Sequence, residues 1–160
     1  MKKKPSLQIN VQNVSHTKNI PSKSQFEYWA LTTMEFAKKN ISTEITIRIV
    51  TANESKKLNN YYRNKNKPTN VLSFPFIAHP GVKINYLGDI VICAAVVRSE
   101  AKTQKKTFIA HWAHMTTHGV LHLLGYDHIK NKDADEMENL ENMIMKNLGY
   151  CNNLHDCLPC

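Results

Sequence analysis

A chain of 160 residues can build one domain with a real core and is too short for two comfortable ones. Hydrophobic residues make up 42%, ordinary for a globular protein, while a net charge of +8 and a pI near 9.3 suit a polyanionic partner, nucleic acid first. The start, MKKKPSLQIN, lacks an apolar core of signal-peptide length, and the longest apolar run, Ile90 to Val97, is too short to span a bilayer, so a soluble cytoplasmic protein is expected.

Leu7, Ile9 and Val11 alternate, which predicts a half-buried strand. Ser22 with Gln25 three residues later forms a capping-box pattern at the start of a helix. Phe26, Trp29, Ala30, Thr33, Met34 and Ala37 then recur at helical spacing, a core-facing stripe whose alternative is an aromatic RNA-stacking surface. Ile45, Ile47 and Ile49 predict a second strand, and Asn53 is expected to cap a short helix carrying Leu58, Tyr61 and Tyr62. The polar stretch Asn64 to Asn70 breaks regular structure before a short strand from Val71 to Phe74, ending at Pro75. After a loop with His79, Pro80 and Gly81, Tyr86 to Cys93 reads as a strand covered on both faces, with Cys93 a buried reduced thiol. Helices are predicted from Ala94 to about Gln104 and from Thr107 to Leu124. Asp133, with Glu136 three later, is expected to cap a last helix whose buried stripe is Met137, Leu140, Ile144 and Leu148 and which Gly149 ends. Strands and helices intermix, so the fold class expected is α+β: a single domain over residues 1–150, one small mixed sheet covered by helices, then a Cys-containing tail over 151–160.

Five of the eight histidines fall in HWAHMTTHGVLHLLGYDH, residues 111–128. His118 and His122 are four apart and share one helix face. Gly125 offers the left-handed turn that ends a helix, after which the chain can bring His128 to the same point. Three neutral imidazoles with an open fourth position are a catalytic zinc arrangement, and zinc there lowers the pKa of water to near ~7 and polarises phosphoryl oxygens. A surface stripe or satisfied core histidines are the plainer alternative, which the glycine between the second and third histidine makes less economical. Metzincin proteases share this spacing but place a general-base Glu directly after the first histidine, where this chain has Gly119. A protease mechanism therefore lacks its base.

HGVLHLLGYDH, with YRNKNKPTNVLSFPF upstream and LGDIVIC between them, resembles the YbeY family of bacterial single-strand-specific endoribonucleases, over roughly Leu58 to Tyr150. The resemblance implies an α-β-α sandwich whose metal-binding helix lies at the active site, with one zinc ion on His118, His122 and His128. It implies a zinc-dependent endoribonuclease that matures the 3′ end of small-subunit ribosomal RNA and serves ribosome quality control, with single-stranded RNA and the small subunit as partners and no membrane. Arg63 falls on the arginine implicated in cleavage there. One departure is that Asn64-Lys65-Asn66 stands where the family more often has Gly-Lys-Asp, so a turn glycine and an acid are both lost.

The chain has only three arginines, Arg48, Arg63 and Arg98. A guanidinium can grip a phosphate with two parallel hydrogen bonds and stabilise charge during cleavage, although an arginine on a basic loop can equally be plain surface. Lys65 and Lys67 flank Arg63 as a phosphate track. His114, one turn before His118, reads as a residue that supports the ligands or faces substrate. Asp127 orients a ligand imidazole, shuttles a proton or only stabilises the turn, and Asp89 supports the site or serves structure alone; the sequence leaves both open. In the tail, Cys151, His155, Cys157 and Cys160 offer either a second structural zinc or a frayed end. The competing functions are another metal-dependent hydrolase such as a peptidase, and a ribosome-associated binding factor whose metal is structural.

Overall fold

The structure, a computed structural model, describes residues 4–127 and 131–150. His128 and the cysteine tail, with the second-zinc reading that rests on it, lie outside the described residues.

Strands β1 (Leu7–Asn13), β2 (Thr43–Val50), β3 (Val71–Pro75) and β4 (Gly88–Cys93) form one mixed sheet in the order β1-β2-β4-β3. β1, β2 and β4 run parallel, and β3 closes one edge antiparallel to β4. The register sets Ile9 beside Ile45, Ile47 beside Ile90 and Ile49 beside Ile92. Side chains alternate along a strand, so these isoleucines share one face, and all of them are fully buried.

Helices α1 (Lys23–Phe36) and α4 (Phe108–Leu123) cover that face. The other face carries a smaller cluster of Val50, Leu72, Val91 and Cys93, met by Leu58 of α2 (Ala52–Arg63) and Val96 of α3 (Ala94–Thr103). α5 (Asn131–Asn147) packs outside α4 through Met137 and Ile144 against Leu121. The result is a single α+β domain with helices on both faces of its sheet. Among the described residues no helix is long and apolar enough to cross a membrane.

The capping box of α1 forms as predicted: Gln25 donates its backbone N–H to the Ser22 hydroxyl and accepts from the Ser22 N–H. Phe26 and Trp29 are buried edge to face with centroids 5.8 Å apart, and Phe26 meets Trp112 of α4 in the same way. The aromatics of α1 are therefore core, not an RNA surface. Two expected caps differ. Thr51, not Asn53, caps α2 by accepting from the Glu54 N–H, because the Thr-x-x-Glu pattern starts two residues before the expected position. Asp133 lies inside the first turn of α5, which starts at Asn131; there its carboxylate complements the helix dipole without being the cap.

Candidate active site

α4 is enclosed on nearly every side. Ala113, Val120 and Leu121 are fully buried, as are Thr116 and Thr117, and His114, His118 and His122 form the partly open row. Gly119 faces the sheet: a Cβ built there would lie 2.8 Å from Ile90 Cγ2, and its carbonyl accepts from the Ser73 hydroxyl at 3.2 Å. A metzincin-type Glu at this position has no room, so the missing base is a consequence of packing as well as of sequence. The helix ends as expected at Gly125, with φ +99°; Gly125 N–H donates to His122 O and Tyr126 N–H to Leu121 O, a Schellman closure.

Glu141 of α5 reaches across to this row. The carboxylate accepts from His118 Nδ1 and, at 3.2 Å, from His114 Nε2. Burial opposes ionisation of Glu141, but hydrogen bonds from the two imidazoles, and their charge, outweigh it and hold the carboxyl at about 2. An ionised carboxylate only accepts, so Glu141 engages His118 at Nδ1 and leaves Nε2 as the nitrogen directed away from it. That Nε2 lies 3.0 Å from His122 Nε2. Two ligand atoms of a tetrahedral zinc with bonds of about 2.0–2.1 Å stand roughly 3.3 Å apart, so the pair fits a zinc edge, with a carboxylate behind one imidazole as such ligands generally have. Among the described residues no third His, Cys, Asp or Glu joins the pair.

Arg63, the last residue of α2, lines one pocket with these histidines. A small pocket of ≈ 190 Å³ is lined by Arg63, Asn70, Val71, Ser73, His118 and His122. Two of its polar side chains are already committed. Asn70 donates to Glu100 and accepts from the Val71 N–H, while Ser73 donates to Gly119. The three arginines have separate fates: Arg48 pairs with Glu54 at 2.8 Å, Arg98 stacks over Phe108 at 5.6 Å, and among the described residues no carboxylate pairs with Arg63. A larger concavity, of ≈ 680 Å³, lies elsewhere, lined by Leu31, Met34, Lys38 and Ile41 without a histidine.

The loop after Arg63 is tied to α2. Asn59 donates to Lys67 O at 2.8 Å, and the Ser55 hydroxyl donates to Thr69 O and accepts from the Thr69 N–H. Asn64 takes the left-handed conformation, φ +57°, that ends the helix. The turn glycine expected there is thus replaced by the side chain that tolerates this conformation best. Lys65 and Lys67 are exposed.

Other expected residues stand apart. His111 is only 1% exposed and bonds Glu100 at 3.1 Å; burial pushes its pKa down while Glu100 opposes the shift. Asp127 is exposed, in a separate depression with Lys39, Tyr126 and Asp133. Asp89 pairs with Phe74 and Thr46 on neighbouring strands, on the sheet face away from Ile90 and α4. There it accepts from the Tyr86 hydroxyl, which also contacts Thr46 at 2.6 Å; burial, then the bond to Asp89, pushes the Tyr86 phenol up to about 12. Of its two open roles, Asp89 therefore takes the structural one. Glu141 was not anticipated. Its signal was an acid four residues after Met137 within the apolar stripe of α5, a position where burial requires a partner.

The sequence pattern of the family described as Endoribonuclease YbeY matches residues 10–149. The chain belongs to this family. The YbeY match begins well before Leu58, so the end of β1, α1 and β2 are part of it too, although their residues carry no recognisable motif. A protein from Thermotoga maritima, known from a solution structure, is similar with a TM-score of 0.55 and 28% identity over 85% of this chain and 87% of that one. Membership makes the chain an endoribonuclease of ribosomal RNA processing, with RNA as its substrate.

Proposed function

We propose that the chain is a zinc-dependent, single-strand-specific endoribonuclease that matures the 3′ end of small-subunit ribosomal RNA and takes part in ribosome quality control, in the cytoplasm and on the small subunit. The observation that carries the reading is the pocket that Arg63 lines together with His118 and His122.

In this reading His118, His122 and His128 hold one zinc ion, which when bound supplies Lewis acidity toward a phosphoryl oxygen. Glu141 keeps the His118 ring in one tautomer and one orientation, and His114 shares that carboxylate, bracing the row. Arg63 grips the scissile phosphate through two parallel N–H bonds and stabilises the charge that develops on it. Lys65 and Lys67 guide the neighbouring phosphates; the loop that carries them is held by Asn59 and Ser55, so little ordering is left for binding. Asp127, one residue before His128, orients that ligand or steadies the turn. A peptidase reading finds no acid after His118 and no space for one.

Metal-replete protein incubated with single- and double-stranded RNA of one sequence tests this, with the products mapped. Cuts confined to single strands are expected, with binding that weakens steeply as salt rises because phosphate contacts release counterions. Equal cutting of both forms would end single-strand specificity, and affinity unchanged from low to moderate salt would remove the lysine track. A 2′-deoxy nucleotide at the cut position identifies the nucleophile: cleavage that persists there requires water.

A further inference from the structure

The end of α2 carries a second feature that metal and arginine leave unused. Tyr61 is 81% exposed and Tyr62 59% exposed, although both are large apolar rings. α2 packs on the sheet cluster through Leu58, and its buried Ser55 and Asn59 hold the following loop, while Tyr61 and Tyr62 lie at its end. The rings are nevertheless braced. Tyr61 meets Tyr62 edge-on with centroids 4.8 Å apart, and Tyr62 leans on Phe74 at 4.8 Å. Tyr62 directly precedes Arg63, which lines the pocket. Tyr61, Tyr62 and Arg63 are thus consecutive residues of the last turn of α2.

Charge says what covers them. From Ser55 to Asn70 the chain carries Lys56, Lys57, Arg63, Lys65 and Lys67 and no acid. An apolar protein partner would be met by a ring of like charges, whereas a nucleic-acid strand matches both parts: its phosphates meet the cations and its bases meet the rings. A duplex keeps its bases stacked inside, so only an unpaired strand can use such a surface.

We propose that Tyr61 and Tyr62 form a base-stacking subsite that seats one unpaired nucleobase beside the phosphate gripped by Arg63. The inference rests on the nuclease reading and deepens it, because it locates single-strand preference in two side chains. Tyr62 holds the platform upright against Phe74, and Tyr61 presents the open ring.

Tyr61 is the residue to change, since its ring contributes little to the core. Kd is measured by fluorescence anisotropy for a labelled single-stranded RNA, verified intact afterwards, and for a series of the same RNA with one abasic nucleotide at each position. Tyr61→Ala should weaken intact RNA by about tenfold, within the range of one base–aromatic stack, and Tyr61→Trp should retain affinity. One abasic position should cost the parent a similar factor and cost Tyr61→Ala nothing further. If Tyr61→Ala matches the parent on RNA that the parent binds and cuts, the subsite is wrong and the nuclease reading stands. A deficit in Tyr61→Ala that stays the same on every abasic RNA also overturns the subsite, because the residue then acts on phosphate or packing. RNA that the parent neither binds nor cuts removes the nuclease reading and the subsite together.

Discussion

Helix α4 is buried on nearly every side, whereas α2 buries only Ser55 and Asn59 fully and runs out into solvent. Both deliver side chains to one pocket. In α4 the neighbours on all flanks fix the backbone, so two imidazoles can be set 3.0 Å apart without further ordering. In α2 the fixed part is polar: Ser55 and Asn59 hold the following loop, and the terminal Tyr61, Tyr62 and Arg63 remain accessible to a large substrate. A metal site needs donors held to a fraction of an ångström, while a polyanion is met by charge and ring faces that tolerate variation. The packing of each helix matches that demand.

The comparison breaks most sharply at His122. If the proposed ligand set holds, His122→Ala leaves two ligands, and zinc content after dialysis should fall to a small fraction of the parent's, with helix content retained by circular dichroism. Unchanged stoichiometry would place the metal elsewhere. Arg63→Lys probes the other helix. The charge survives but the two-pronged grip does not, so the cleavage rate should drop on the order of 10²-fold while RNA affinity and zinc content change little. A variant that cuts at the parental rate would return Arg63 to the ordinary surface.

Glu141→Gln tests whether the rigidity of α4 extends to α5. A competing chelator should report zinc affinity lower by about 10–100-fold, the usual cost of losing a carboxylate behind a ligand imidazole. The acid dependence of the metal-free protein follows from the sign of the Glu141 shift. Its folded pKa, about 2, lies below the ordinary 4.5, so its contribution is present above 4.5 and is lost as pH falls toward 2. The stability gap between parent and Glu141→Gln should therefore narrow through that window, and a gap that widens there would mean the carboxyl is neutral in the fold. The smallest effect is expected at Gly119. Adding a methyl against Ile90 costs about 1–3 kcal/mol by overpacking, offset by roughly 1 kcal/mol of helix propensity. Urea denaturation of Gly119→Ala should show a net loss of up to about 2 kcal/mol, and a gain would mean that the helix can shift away from the sheet.

Features that depend on neighbours in the chain were legible in the sequence. The capping box of α1, the turn at Gly125, the isoleucine alternation of β2 and the shared face of His118 and His122 all rest on contacts within a few residues, whose geometry the backbone period dictates. The motifs also sufficed for the family. What the tertiary structure decided lies across long loops. The register of β4 set Asp89 on the face away from α4; the tertiary packing brought Arg63 into one pocket with histidines more than fifty residues on; and α5 supplied Glu141. Nor could periodicity separate the aromatics of α1 from those of α2. Phe26 and Trp29 are buried in the main core cluster, while Tyr61 and Tyr62 at the end of α2 stay exposed, with Tyr62 leaning on Phe74 of β3. A hydrophobic pattern states which side chains gain by burial; whether a surface lies opposite to bury them depends on where the rest of the chain has gone.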